Sequence, residues 1–380
     1  MKQTARIIST YSADAFGVCS ALFELGGMTV MHDASGCNST YTTHDEPRWY
    51  DMDSMVYISG LSEMEAIMGD DEKLIGDIAA AAAELHPRFI AIAGTPIPAM
   101  TGFDYTAVAE LIEQRTGIPA MGFATTGMNT YIHGAAMALD AIARRFVRPD
   151  CAKTAAPSVN ILGLTPLDFS INGTDRSIAR FVEENGFAVL SRWAMGDTLD
   201  TLAQAGGAHV NLVVSAAGLT AAQTLQQRFG TPYVIGMPVA GPWADRLAQA
   251  LRQAAATGEN QAPRSDLPGG EIAVIGEGVT SLSLASAIEL ASHQGARVLC
   301  ATECDRALLR DKDGMTPDEA DIEPALTSAR VVIADPLYRP ICPKSAAFVP
   351  LPTEAFSGRM FRSAIPNLAD GLPHCIEEVF

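Results

Sequence analysis

The stretch MTVMHDASGCNST, residues 28–40, decides how this chain is read. A mostly apolar run, Met28 to Met31, ends in His32, Asp33, Ala34, Ser35, Gly36 and Cys37. A strand that opens onto such a loop sets a thiol beyond its carboxyl end. In open parallel α/β sheets that is the edge where ligands bind. A second thiol, Cys19 in FGVCSALFELGG, lies nine residues before the stretch begins.

The same shape recurs downstream. RFIAIAGTP (88–96), SVNILGLTP (158–166), HVNLVVSAAG (209–218), EIAVIGEG (271–278) and RVVIADP (330–336) are predicted strands that end in small or turn-forming residues. DYTAVAELIEQRTG, DRSIARFVEENG, TAAQTLQQRFG and SLSLASAIELASHQG are predicted helices that stop at glycine or asparagine-glycine. Further strands follow in GIPAMGFA, GFAVLSRWA, GTPYVIGMP and GARVLCATE. Near-continuous apolar strands alternating with amphipathic helices predict parallel sheets covered on both faces. Breaks fall at RPDCAKTAAPS and at ATGENQAPRSDLPGG. The expected organisation is three doubly wound, Rossmann-like α/β domains over residues 1–155, 156–265 and 266–380. Residues at the predicted strand ends, Thr95 and Pro96, Thr125, Thr165 and Pro166, Ser215, Gly276 and Glu277, are the candidates for lining a cleft between them.

Bulk properties narrow the function. The chain has 380 residues, 48% hydrophobic and 18% charged, a globular composition too long for one ordinary core. Its net charge of −18 argues against nucleic acid and against an anionic membrane surface. No run approaches the ~18 apolar residues of a membrane span, and the first residues lack a signal-peptide core, so a cytoplasmic location is expected. Seven cysteines in a reducing compartment are then buried thiols, metal ligands or nucleophiles rather than a disulfide framework.

Familiar motifs are missing. There is no Walker A sequence, no G-x-S-x-G elbow and no H-E-x-x-H, so ATP hydrolysis by this chain is not expected. IGEGVTS (275–281) approaches a dinucleotide fingerprint but reads better as a tight strand-to-helix turn. Cys19 follows Phe-Gly at an expected helix start, where free N–H groups and the helix dipole stabilise a thiolate. Metal binding by Cys19 and Cys37 stands beside two buried structural thiols as readings of equal weight. Two cysteines are too few for a four-thiolate cluster, whereas a symmetric dimer supplies four. Cys300, Cys304 and Cys342 form a rival set, with unrelated thiols as the plainer reading. Cys151 and Cys375 receive no role. His32 and His44 flank Cys37, either to orient the loop and meet a partner or as structural histidines.

In this order, FGVC, VMHDASGC and ISGLSEMEAIMGDDEKL resemble the N-terminal signature of nitrogenase component 1-type proteins. Residues 195–241 and the segments DIEPALTSARVVIADPLYR and FVPLPTEAFSGR extend the likeness through the second and third domains. The resemblance assigns Cys19 and Cys37 to the first two cluster cysteines, with Gly36 as the small residue before the second. Thr95 stands at the family's third cluster cysteine and Ser215 at the iron-molybdenum cofactor cysteine. The family's N- and C-terminal extensions are missing. The likeness therefore implies no iron-molybdenum cofactor and no dinitrogen reduction.

What the resemblance implies instead is a reductase component. A [4Fe-4S] cluster bridges the interface of a homodimer, or of a heterodimer with a homologous chain. An iron-protein-like reductase, which alone uses ATP, delivers the electrons. A small or tetrapyrrole-like substrate is reduced in the interdomain cleft, with Asp168 as a candidate proton donor, beside the plainer reading of a solvated loop carboxylate, and Ser215 as a further catalytic candidate. The alternatives are a metallocluster assembly or carrier scaffold and a cluster-less small-molecule-binding relative.

Overall fold

The computed structural model describes residues 7, 13–36, 38, 40–41 and 46–378. It contains three sheets. The first holds β1 (Met28–Met31), β2 (Met55–Ile58), β3 (Ile90–Ala93) and β4 (Ala120–Phe123) in the order β2-β1-β3-β4. The second holds β5 (Ser158–Leu162), β6 (Ala188–Arg192), β7 (Val210–Val213) and β8 (Tyr233–Ile235) in the order β6-β5-β7-β8. The third holds β9 (Ile272–Gly276), β10 (Ala296–Cys300), β11 (Gly314–Met315), β12 (Val331–Ala334) and β13 (Ala347–Pro350) in the order β11-β10-β9-β12-β13. Every strand pairing among them is parallel. The expected α/β class with three parallel sheets is what the chain adopts. Sequence patterning did not mark β2, β11 or β13. All three are edge strands, only partly buried, and carry little of the continuous apolar signal.

Central strands are buried along their whole length: β3, β5, β7, β9 and β12 each expose none of their residues. Helices cover both faces, which is why these strands read as unbroken apolar runs. The predicted helices form at Tyr105–Thr116, Thr174–Glu184, Leu219–Phe229 and Gly278–Ser292. Gly117 and Gly230 end two of them in the left-handed conformation that glycine adopts without steric cost. The last stops instead at His293, itself left-handed.

Each sheet reverses its strand order beside its first strand: between β1 and β3, between β5 and β7, and between β9 and β12. A crevice opens at the carboxyl ends of such strand pairs, because the connecting loops depart to opposite faces. The chain therefore carries three such crevices, and the candidate residues cluster at them.

The Asp14–Leu22 helix packs tightly on the Tyr131–Arg145 helix. A Cβ on Gly17 would lie 1.9 Å from the Tyr131 carbonyl oxygen, and one on Gly134 would lie 1.7 Å from that of Asp14. Asp14 also binds the loop before the second helix, accepting from the N–H groups of Thr126 (3.0 Å) and Gly127 (2.7 Å) and from Asn129 Nδ2 (3.1 Å).

Candidate functional site

The first crevice holds the opening loop. His32 continues from β1 with its N–H donating to the Ala93 carbonyl (2.9 Å). Thr95, just past β3, is buried with Oγ1 2.8 Å from the His32 carbonyl and 3.0 Å from Asp33 Oδ1, so one hydroxyl proton serves both. From the other side Ser59, just past β2, meets His32 Nδ1 at 2.9 Å and accepts from the Asp33 N–H at 3.1 Å. Asn38 Nδ2 closes the loop onto Asp33 Oδ2 (2.7 Å). The loop is thus clamped by the strands on both sides of β1. Gly36 is exposed, with nothing within 4 Å of where a Cβ would stand. Cys37 and His44 lie outside the described residues. Burial pulls the His32 imidazole down to about 4, against the charges of Asp33 and Glu65.

Cys19 does not sit at a helix start. The helix begins at Asp14, and Cys19 is fully enclosed among its later residues. The expected stabilisation of a thiolate by a helix N-terminus is therefore absent. Burial, then the Glu46 charge, push the thiol well above its usual range. The pattern misled because the helix already begins at Asp14, two residues before Phe-Gly, with Ala13 as its N-cap.

Around Cys19 lies an ionic network that motif reading missed. Arg48 is buried and donates through Nε to Glu46 Oε1 (2.7 Å), through Nη1 to Glu24 Oε1 (2.7 Å) and the Ala194 carbonyl (2.8 Å), and through Nη2 to the Ser20 carbonyl (2.9 Å). Glu46 also accepts from Ser20 Oγ (2.7 Å) and Tyr41 Oη (3.2 Å). Tyr41 in turn donates its N–H to the Asn38 carbonyl (3.2 Å). Tyr41, Glu46 and Arg48 thus hold onto the Cys19 helix at Ser20. The signal was available in DEPRW, charges placed directly after a cysteine loop.

The second and third crevices face one another. Ser215, at the end of β7, is buried, and its Oγ donates to the Gly163 carbonyl (2.7 Å). The next N–H, that of Ala216, donates to Glu277 Oε1 (2.9 Å) at the end of β9. Glu277 also accepts from Val279 and Thr280 N–H groups, and burial raises its carboxyl despite these bonds. Asp335, past β12, is likewise raised by burial while accepting from Leu337, Thr353 and Ser357. Asp168 accepts a hydrogen bond from Thr165 Oγ1 and lines two adjoining cavities, of about 40 and 50 Å³. Thr280 and Thr353 line both, each with a buried hydroxyl that has no protein partner. Sequence reading named Asp168 and Glu277 but missed Asp335 and Thr353, which only the folding of β12 and β13 brings opposite. Thr125 serves the scaffold: its Oγ1 donates to the Gly94 carbonyl (2.8 Å).

The rival cysteine set divides. Cys300 and Cys304 lie with their sulfurs 3.5 Å apart, while the Cys342 thiol donates to the Tyr338 carbonyl (3.3 Å). Among the described residues no three metal-ligating side chains gather, so the three-thiolate iron site is not formed.

Braced cysteine loop, enclosed thiol and facing crevices on three parallel sheets define a nitrogenase-type α/β protein. The chain belongs to the nitrogenase component 1 type oxidoreductase family, whose model matches residues 15–290. It is 29% identical over 198 residues to one of the component chains of the light-independent protochlorophyllide reductase of Nostoc punctiforme, covering 49% of this chain and 38% of that protein. It is 25% identical over 241 residues to the nitrogenase iron-molybdenum cofactor biosynthesis protein NifE of Clostridium pasteurianum, covering 61% and 51%. The matches thus span about half or less of these relatives' lengths. In fold, the chain matches the structure of nitrogenase Cp1 at pH 6.5 with a TM-score of 0.71 and 16% identity, over 100% of this chain and 93% of that one. No helix among the described residues is long and apolar enough to cross a membrane.

Proposed function

We propose that this chain is the substrate-reducing component of a nitrogenase-like reductase, with an iron-sulfur cluster held between two copies or between it and a homologous chain. The observation that carries the reading is the convergence on one crevice of the Cys19 helix and the loop that leads to Cys37, joined through Asn38, Tyr41 and Glu46. Thiolates are the donors such a cluster takes. Cys19 and Cys37 are the ligands, Gly36 leaves free space ahead of the second, and Thr95 holds the loop. When bound, the cluster supplies one-electron storage on thiolate-held iron. Cys19 must lose its proton to ligate, and burial beside Glu46 opposes that loss, so cluster insertion is coupled to proton release.

Exposed apolar side chains support a partner surface here. Met64, Ile67 and Met68 project from the Glu63–Met68 helix, Ile97 and Met100 from Pro96–Thr101, and Met128 from the loop that precedes the Tyr131–Arg145 helix. Such a patch beside a functional loop marks an interaction site. We assign it to the second copy or homologous chain and to an ATP-dependent iron-protein-like reductase. Reduction then takes place in the cleft of Asp168, Glu277 and Asp335. Asp168 is the proton donor in this scheme, while the Ser215 hydroxyl is committed to the backbone. The two cavities are far smaller than the ~300–1,000 Å³ typical of ligand pockets, which favours a substrate of few atoms over a tetrapyrrole.

The second reading, a scaffold for cluster assembly, draws on the likeness to NifE. Iron and sulfide analysis, with electron paramagnetic resonance of the reduced protein, tests the first. Anaerobically purified protein is expected to hold about four irons per dimer, with the signal lost in Cys37→Ser. An iron-free protein, unchanged by the mutation after reconstitution, overturns the cluster. A cluster that is transferred intact to an acceptor protein, and never oxidised by a substrate, favours the scaffold.

A further inference from the structure

Cys300 closes β10, and Cys304 lies four residues on, in the loop that crosses the start of the Gly278–Ser292 helix. Their sulfurs are 3.5 Å apart, within hydrogen-bond contact. Gly278 makes the room. A Cβ there would stand 3.0 Å from Cys304 Cβ, 3.2 Å from its Sγ and 3.5 Å from Cys300 Sγ. Cys300 is buried and Cys304 half-buried, so one sulfur is sheltered and the other reachable. The hydrogen bond between them holds Cys300 below the ordinary thiol range and Cys304 above it, so the pair gives up a first proton as a unit. No third ligating side chain joins them among the described residues. Two sulfurs in contact without further donors suit a bond between themselves better than a tetrahedral metal, which takes four ligands.

We propose that Cys300 and Cys304 are a redox-active dithiol that forms a reversible intramolecular disulfide by exchange with a small disulfide of the glutathione type. Loss of one proton leaves the thiolate mainly on Cys300, hydrogen-bonded to Cys304; transfer of the shared proton across the 3.5 Å contact places the thiolate on the reachable Cys304. That thiolate attacks one sulfur of the oxidant, forming a mixed disulfide and releasing one thiolate. Cys300, on losing its proton, then attacks the Cys304 sulfur and expels the second. Two cysteine thiols are oxidised by two electrons, and one disulfide is reduced to two thiols.

The site lies where two units meet. Glu303, between the two cysteines, accepts from the Thr130 N–H (3.2 Å) at the start of the Tyr131–Arg145 helix. Closing the bond draws in the same loop that carries this contact. The inference stands apart from the cluster reading, since neither thiol belongs to it.

The test is thiol mapping on the full chain. Protein equilibrated with graded ratios of oxidised to reduced glutathione is alkylated under denaturing conditions, digested and mapped by mass spectrometry. Cys300 and Cys304 are expected to lose labelling together, in a linked peptide that dithiothreitol restores, while Cys151, Cys342 and Cys375 stay labelled. Cys304→Ser is expected to abolish the protection of Cys300. Full labelling of both thiols at the most oxidising ratio overturns the proposal. So does a glutathione adduct on Cys304 that never resolves, or a bond from either cysteine to another partner. The wild-type map decides the matter even if the variant does not fold.

Discussion

Gly134→Ala sets two physical effects against each other. In a helix interior alanine is favoured over glycine by about 1 kcal/mol, so propensity alone predicts a more stable protein. Packing predicts the reverse. The added methyl would stand 1.7 Å from the Asp14 carbonyl oxygen, 2.6 Å from its carbon and 3.0 Å from its Cα. Backbone cannot rotate away as a side chain tip would, so the two helices must part by about 1.7 Å to restore ordinary contact. The Asp14–Leu22 helix is buried along its length, and every layer of that interface moves with it. Overpacking of this kind costs up to about 3 kcal/mol. Offset by the propensity gain, the net loss is about 2 kcal/mol. Urea unfolding followed by circular dichroism reads it as a lower midpoint at unchanged slope. A variant as stable as the wild type, or more stable, refutes the claim that these helices are in backbone contact.

Two further predictions follow from buried charge. Arg310 is buried, with Nε 2.8 Å from Asp313 Oδ2 and Nη1 3.1 Å from Glu289 Oε1; Glu289 keeps Lys312, but Arg310→Met leaves the buried Asp313 carboxylate without its cation and is expected to cost about 3–5 kcal/mol in urea unfolding; a loss under about 1 kcal/mol sinks this account. His32 titrates at about 4 in the folded chain against 6.5 when unperturbed. Above 6.5 both states are neutral and the stability is fully present; as pH falls the unfolded state takes up the proton first, so stability declines until about pH 4. Between about pH 7.5 and pH 5 the wild type is expected to lose about 2 kcal/mol more than His32→Gln, and equal losses in the two proteins contradict it.

The order of strands and helices was legible in the sequence because burial leaves a local trace. IAIA, VNLV and VVIA are almost wholly apolar since both of their faces are covered, and the loops that follow them are polar or small. The short edge strands carried no such trace. Cys19 shows where local reading fails. Its neighbours resemble a helix start, yet its chemistry is set by burial and by Glu46, more than twenty residues away in the chain.

By itself, then, the sequence determined a three-sheet parallel α/β chain, its family likeness and the strand-end loops as the place for chemistry. These follow from residue type and spacing, which act over a few neighbours. Only the tertiary structure decided that Thr95 clamps the His32 loop, that Asp335 and Glu277 line one cleft with Asp168, and that Cys300 meets Cys304 while Cys342 does not. Those outcomes depend on which strands become neighbours in each sheet, and strand order is settled by how the covering helices pack, not by any one segment.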